Sequence, residues 1–194
     1  MKKIGFIGEG ATEIELLRSN GFKVFLNSLG LESVGEFDAM GRENLISRSD
    51  RIEDFIKIFN DRNVEKIIIL SDLETDPCIS YYKSRIYNYS PKAVNIVAVK
   101  AIESWLLSDS STLSHLLKER FYYNKPEQTV NLPIDELQEI FLAKTGRGLG
   151  ICNRKPKVMR RFIRTGFSVE KASQHPNCSS VKYFIKKLEE IAKE

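Results

Sequence analysis

The feature that most constrains this 194-residue chain is the run Ile67-Ile68-Ile69-Leu70 inside the apolar segment 64–71. β-Branched side chains are stiff at χ1 and crowd a helix, but they pack well on a pleated surface. An apolar run with no polar alternation suits a strand covered on both faces, as inside a parallel sheet. Segment 64–71 is therefore expected to be a central strand. Segments 3–7, ended by Gly8, and 93–99 read in the same way, with 33–40 as a further candidate.

Helical patterns lie between these segments. Thr12-Glu13-Ile14-Glu15 reads as a capping box, and Ile14, Leu17, Phe22, Phe25 and Leu29 follow it at near-helical spacing despite Gly21. In 50–59, Ile52, Phe55, Ile56 and Phe59 share one helical face; Pro77 opens a helix through Tyr89; a short helix carries Ile102, Trp105 and Leu106. Strands alternating with helices imply an α/β fold with a largely parallel sheet flanked by helices. Beyond residue 109 the pattern is helical only: 113–120, 133–144, 156–165 and 180 to the end, where Val181, Phe184, Ile185, Leu188 and Ile191 form an apolar stripe. Residues 1–109 are expected to form the α/β core, and 110–194 a C-terminal helical extension packed on it as one unit.

Composition narrows the chemistry. The chain has two histidines, His115 and His175, and three cysteines, Cys78, Cys152 and Cys178, with no Cys/His ligand spacing. That argues against a structural zinc site and a disulfide scaffold, and the cysteines read as free thiols. No apolar run approaches the ~18 residues that span a bilayer, and residues 4–7 are too short for a secretory apolar region, so a soluble, cytoplasmic protein is expected. Residues 144–164 hold eight basic residues (Lys144, Arg147, Arg154, Lys155, Lys157, Arg160, Arg161 and Arg164) and no acid, whereas the other 173 residues carry 22 basic against 26 acidic. A basic segment on an acidic body suggests an anion site, nucleic acid foremost; a solvated helix face is the alternative.

The acids sit where the strands end. Glu9 follows the first strand, Asp72 and Glu74 follow the central one, and Glu103 lies just past 93–99. In a parallel sheet these ends share the edge where ligands gather, so the acids are expected to converge. Clustered carboxylates raise one another's pKa unless a cation stands among them, and an all-oxygen set selects Mg²⁺ or Mn²⁺. Asp72-x-Glu74 on an extended segment would direct both side chains to one side. Glu13 is placed to project back toward Glu9, and Gly8 and Gly10 allow a tight backbone and close approach of a phosphate. Asp76, before Pro77, reads as a helix cap or a further ligand.

These residues carry a family resemblance. Ile7-Gly8-Glu9-Gly10-Ala11-Thr12-Glu13 resembles the E-G-x-x-E/D signature that opens Toprim domains, and Asp72-Leu73-Glu74 resembles their D-x-D motif with Glu at the second acid. Residues 101–109, Ala-Ile-Glu-Ser-Trp-Leu-Leu-Ser-Asp, are similar to the E-x-W-L-L-x-D segment of a Toprim-like bacterial family related to the nuclease domains of overcoming-lysogenization-defect proteins. The resemblance covers residues 1–109 and implies a Toprim-like Rossmannoid sheet and metal-dependent action on phosphodiesters, in phage defence or repair. It further implies Glu9 as metal ligand or general acid/base, Asp72 and Glu74 as metal ligands, Glu13 and Glu103 as ligands of a second ion, and Lys155 or Lys157 as a catalytic lysine. Glu74 departs from the commoner Asp by one methylene. No G-x-x-x-x-G-K-[ST] motif is present, so an ATPase partner would be a separate chain.

The expectation is thus a nuclease using one or two Mg²⁺ or Mn²⁺ ions on DNA or RNA. A non-catalytic nucleic-acid-binding or adaptor module and a small-molecule nucleotide-processing enzyme remain as alternatives. Trp105 reads as core. Tyr81, Tyr82, Tyr87 and Tyr89 read as amphipathic packing in one helix or as a platform for single-stranded bases. His115 reads as a helix-surface residue, and 146–150 as a linker or a mobile loop.

Overall fold

A computed structural model describes residues 1–150 and 155–194. Four strands, β1 (Lys2–Gly8), β2 (Leu31–Asp38), β3 (Lys66–Asp72) and β4 (Ala93–Ala98), form one all-parallel sheet in the order β2-β1-β3-β4. The helices are α1 (Ala11–Leu17), α2 (Asn20–Ser28), α3 (Glu43–Ile46), α4 (Asp50–Asp61), α5 (Ile79–Arg85), α6 (Glu103–Ser108), α7 (Ser110–Leu117), α8 (Pro133–Thr145), α9 (Lys155–Arg164), α10 (Val169–Ser173) and α11 (Ser179–Lys193). The architecture is α/β, a parallel sheet flanked by helices with a helical C-terminal region, consistent with a Rossmannoid, Toprim-like fold. Among the described residues no helix is long and apolar enough to cross a membrane.

The isoleucine run behaves as its chemistry requires. Ile68 and Leu70 enter the apolar cluster on one sheet face, and Ile67 and Ile69 enter the cluster on the other. The first cluster joins the sheet to the C-terminal helices: Phe184 stacks on Phe22 at 5.7 Å and on Trp105 at 5.3 Å between ring centroids, contacts worth about 0.5–1.5 kcal/mol each beyond their burial. The Trp105 indole donates to Ser180 Oγ at 2.8 Å, so this buried ring also satisfies its polar end. On the opposite face α4 supplies Ile52, Ile56 and Phe59, and a Cβ at Gly5 would stand 2.4 Å from the Phe59 ring. Glycine there is what lets the helix close on β1.

Several expectations of local structure need correction. The 14–29 periodicity is two helices, because the Ser19 hydroxyl accepts from the Phe22 amide at 3.2 Å and starts α2 afresh. The capping acid of α1 is Glu13, which accepts from the Gly10 amide at 2.9 Å; Glu15 turns outward to Arg160. α5 starts at Ile79 with Cys78 as its cap and ends at Arg85, so Tyr87 and Tyr89 lie outside it. Tyr89 donates instead to the carbonyls of Asn44 and Ser47 at 2.6 Å. The short α10 went unforeseen. Cys78 and Cys178 are free thiols; Cys152 lies outside the described residues.

Candidate functional site

β1 has β2 on one side and β3 on the other, so the chain reverses direction across the sheet at β1, and ligands of parallel sheets bind at the carboxyl end of such a switch. Glu9 and Asp72 occupy that point. The Glu9 amide donates to the Leu70 carbonyl at 2.8 Å, and Glu9 Oε2 accepts from the Asp72 amide at 3.2 Å and the Tyr82 hydroxyl at 3.3 Å. Asp72 Oδ1 accepts from the Ile102 amide at 2.8 Å, which ties the end of β3 to the start of α6. Glu13 reaches the strand end because residue 8 lacks a side chain: a Cβ there would lie 2.8 Å from Glu13 Cβ. Glu103, the first residue of α6, is fully buried, and neither of its carboxylate oxygens has a hydrogen bond among the described residues. Among the described residues it pairs with Lys155, whose Nζ lies 3.5 Å from Glu103 Oε1.

The electrostatics show how close these groups are. Burial raises the carboxyl pKa of Glu9, Glu13, Asp72 and Glu103, that of Glu13 to about 8. Neighbouring charge adds to the effect: Glu13, Glu103 and Glu9 push Asp72 further up, and Glu103 and Glu9 do so for Glu13. Burial alone would lower the Lys155 ammonium, but Glu103, Asp72 and Glu13 together hold it above the ordinary lysine value. Lys155 thus stands among the inner acids as their counter-charge. Lys157, the other candidate lysine, is on the exposed face of α9.

Glu74 is not where an extended acid-x-acid pair would put it. Its φ of 51° is left-handed, its amide donates to the Lys100 carbonyl at 2.7 Å, and its half-exposed carboxylate lies 3.4 Å from Arg42 Nη1. Asp76 neither caps α5 nor joins the inner acids; it pairs with Arg42 at 2.8 Å and Arg85 at 2.9 Å. Arg42 is the site residue that sequence reasoning missed, and Tyr82, read there as packing or a base platform, instead donates its hydroxyl to Glu9. Arg42 lies four residues beyond β2, at the same sheet edge, so the strand-end rule that found the acids would have found it had bases also been collected.

The basic segment divides. Lys144 pairs with Glu119 at 2.8 Å, Lys155 faces Glu103, and Arg160 pairs with Glu15. Arg161 lies over the Phe141 ring at 5.2 Å. Arg147, Lys157, Arg161 and Arg164 are exposed and form no ion pair among the described residues. Positions 157, 160, 161 and 164 share the outer face of α9, whose inner face buries Val158, Met159 and Phe162. Arg154 lies outside the described residues. Of the tyrosines, Tyr82 is buried against Glu9 and Tyr81 is half exposed.

The oxygen-only donor set, with a buried glutamate lacking hydrogen bonds, has the chemistry of a hard divalent cation site. As placed, however, no three His, Cys, Asp or Glu side chains among the described residues converge closely enough to hold an ion, and Lys155 supplies charge there instead. Glu9, Glu13, Asp72 and Glu103 are the residues that would hold one, with Glu74 at the rim. No family model matches the chain, and neither a curated protein nor a solved structure is significantly similar to it.

Proposed function

We propose that the protein is a Toprim-type phosphodiesterase acting on DNA or RNA with Mg²⁺ or Mn²⁺. The observation that carries this reading is the gathering of three buried carboxylates, Glu13, Asp72 and Glu103, with the half-buried Glu9 at the switch point, where Glu103 has no hydrogen bond among the described residues and lies beside Lys155. The resemblance of residues 7–13, 72–74 and 101–109 to Toprim motifs supports it, as does the exposed basic face of α9. A divalent ion held by the inner acids would supply charge to activate water and to stabilise the departing oxygen. The chain's own groups do the rest. Glu9, oriented by the Asp72 amide and the Tyr82 hydroxyl, takes the proton of the attacking water; Lys155 faces the charge that develops on the phosphoryl oxygens; Lys157, Arg161 and Arg164 hold flanking phosphates.

Labelled DNA and RNA incubated with Mg²⁺ or Mn²⁺ test the reading. Cleavage that Glu9→Gln abolishes is the expected outcome. No cleavage by the native chain, or equal cleavage by the variant, overturns it. Replacing Lys157 should lower the salt dependence of nucleic-acid binding by about one logarithmic slope unit if it touches duplex phosphate. A second reading, a non-catalytic nucleic-acid-binding or adaptor module, is favoured by the absence among the described residues of three acids already converged on an ion position. It predicts binding that is independent of divalent ions and unaffected by Asp72→Asn, which calorimetry distinguishes.

A further inference from the structure

We propose that Arg42 is the positioning residue of this site: it sets the turn that presents Asp72 and Glu74 and, through Tyr82, the carboxylate of Glu9. The inference deepens the metal-dependent reading above and rests on it for its functional meaning. Arg42 Nη2 donates to two successive carbonyls, Asp72 at 2.7 Å and Leu73 at 3.0 Å. Its Nη1 lies 2.8 Å from Asp76 Oδ2 and 3.4 Å from Glu74 Oε2. Its guanidinium carbon lies 4.4 Å from the centroid of the Tyr82 ring, whose hydroxyl donates to Glu9 Oε2. One planar group therefore touches the backbone of the first acid of the Asp72-Leu73-Glu74 motif, the side chain of the second, and the residue that holds Glu9.

The turn needs such a clamp. Glu74 is left-handed without being glycine, a conformation that persists only where surroundings over-determine it. Without Arg42 the Asp72 carbonyl and the Glu74 carboxylate would lose this partner, while the Leu73 carbonyl would keep only the Asp76 amide and Asp76 only Arg85. Lysine cannot replace it, because a single ammonium has no rigid fork to span two carbonyls and two carboxylates while lying flat on an aromatic ring.

The test compares Arg42→Lys, Arg42→Gln and Tyr82→Phe with the native chain. The Leu73, Glu74 and Asp76 amides donate to Ala98, Lys100 and Leu73 carbonyls, so their hydrogen exchange reports the turn directly. In the metal-free protein both Arg42 variants should speed exchange at these three amides at least tenfold, while the amides of β1 stay protected. Mn²⁺, titrated by electron paramagnetic resonance, should bind both variants about 10–100-fold more weakly, the range typical of residues that orient ligands. Tyr82→Phe removes only the hydroxyl on Glu9 and should weaken Mn²⁺ about two- to tenfold without loosening the turn.

Unchanged exchange at the turn in Arg42→Gln overturns the proposal. So does exchange that rises equally across β1, which would make Arg42 a general stability residue, and so does Mn²⁺ affinity that neither Arg42 variant moves. Should the native chain bind no Mn²⁺, the metal-dependent reading fails, while exchange at the turn still decides whether Arg42 sets it. Full rescue by Arg42→Lys would show that charge alone suffices and would likewise overturn the role of the fork.

Discussion

At the carboxyl edge of the sheet, Glu74 and Asp76 pair with Arg42 and Arg85, whereas among the described residues Glu13, Asp72 and Glu103 share Lys155, and Glu9, between the two groups, also feels the Arg42 charge. The two groups meet at the end of β3, which carries Asp72 and leads into Glu74 and Asp76, so the difference comes from the elements packed around each. α5 and the turn after β2 bring Arg85 and Arg42 to the outer acids, while on the inner side α1 and α6 bring more acids and the described residues of α9 bring Lys155. Buried charge is costly unless compensated, and the outer group is compensated by its own side chains. The inner group, with more acids than cations among the described residues, is compensated only in part. That imbalance separates a structural ion-pair network from a site short of positive charge.

The comparison is broken most sharply by neutralising one acid of each group. Asp72→Asn should reduce metal-dependent cleavage by about a hundredfold or more, because it removes charge from the group that would hold the ion. Glu74→Gln should cost far less, about tenfold, since that carboxylate is already committed to Arg42. Single-turnover rates at saturating Mg²⁺ measure both. Equal losses would mean that the two groups act as one cluster and that the arginine pairing has no functional content.

A second contrast is in pH. Glu13 titrates at about 8 in the folded chain against an ordinary 4.5, and Glu9, Asp72 and Glu103 are raised as well. Between those values the folded state holds more protons than the unfolded one. The contribution of these groups to stability is therefore present below about pH 4.5 and is lost as pH rises toward 8. The melting temperature of protein in chelator should fall over that window, Glu13→Gln should flatten the fall, and millimolar Mg²⁺ should remove it. A melting temperature that rises from pH 5.5 to 8 would show that the inner acids are already neutralised.

Much of this edge was legible in the sequence, for identifiable reasons. The 67–70 run had to be a doubly covered strand, and parallel strands place Glu9, Asp72 and Glu103 at one edge whatever the loops do. What could not be read was the loop geometry. Alternation places Glu74 beside Asp72 only if the strand continues, and it ends at Asp72 because Glu74 turns left-handed. Charge counting gave eight basic residues but not their partners; Glu15, Glu103 and Glu119, distant in sequence, claim three of them. Ser19, which splits one apparent helix into two, was legible in principle, since serine before an apolar helical pattern is a cap signal that periodicity overrode. Arg42 and Tyr82 carried no motif, because their roles exist only once β2, β3 and α5 meet.

The smallest expected effect concerns the cations themselves. Lys155→Met leaves Glu103, whose side chain is 1% exposed, with no ion-pair partner among the described residues, and breaking a fully buried pair in this way costs about 3–5 kcal/mol. The Lys155 side chain is 37% exposed, so solvent screens part of the interaction and about 1–3 kcal/mol is the expected loss. Arg85→Gln removes a side chain of similar exposure, 38%, but Asp76 keeps Arg42 at 2.8 Å, so the loss should stay below about 1 kcal/mol. Mg²⁺ adds a further distinction: it should restore the Lys155→Met protein, and bind it more tightly than the native chain, because the ammonium no longer competes for Glu103. It should leave Arg85→Gln unchanged. If urea unfolding gives the two variants equal losses, or if Mg²⁺ rescues neither, the two acid groups are equivalent and the inner one needs no ion. Unequal losses with selective rescue place the missing charge at Glu103.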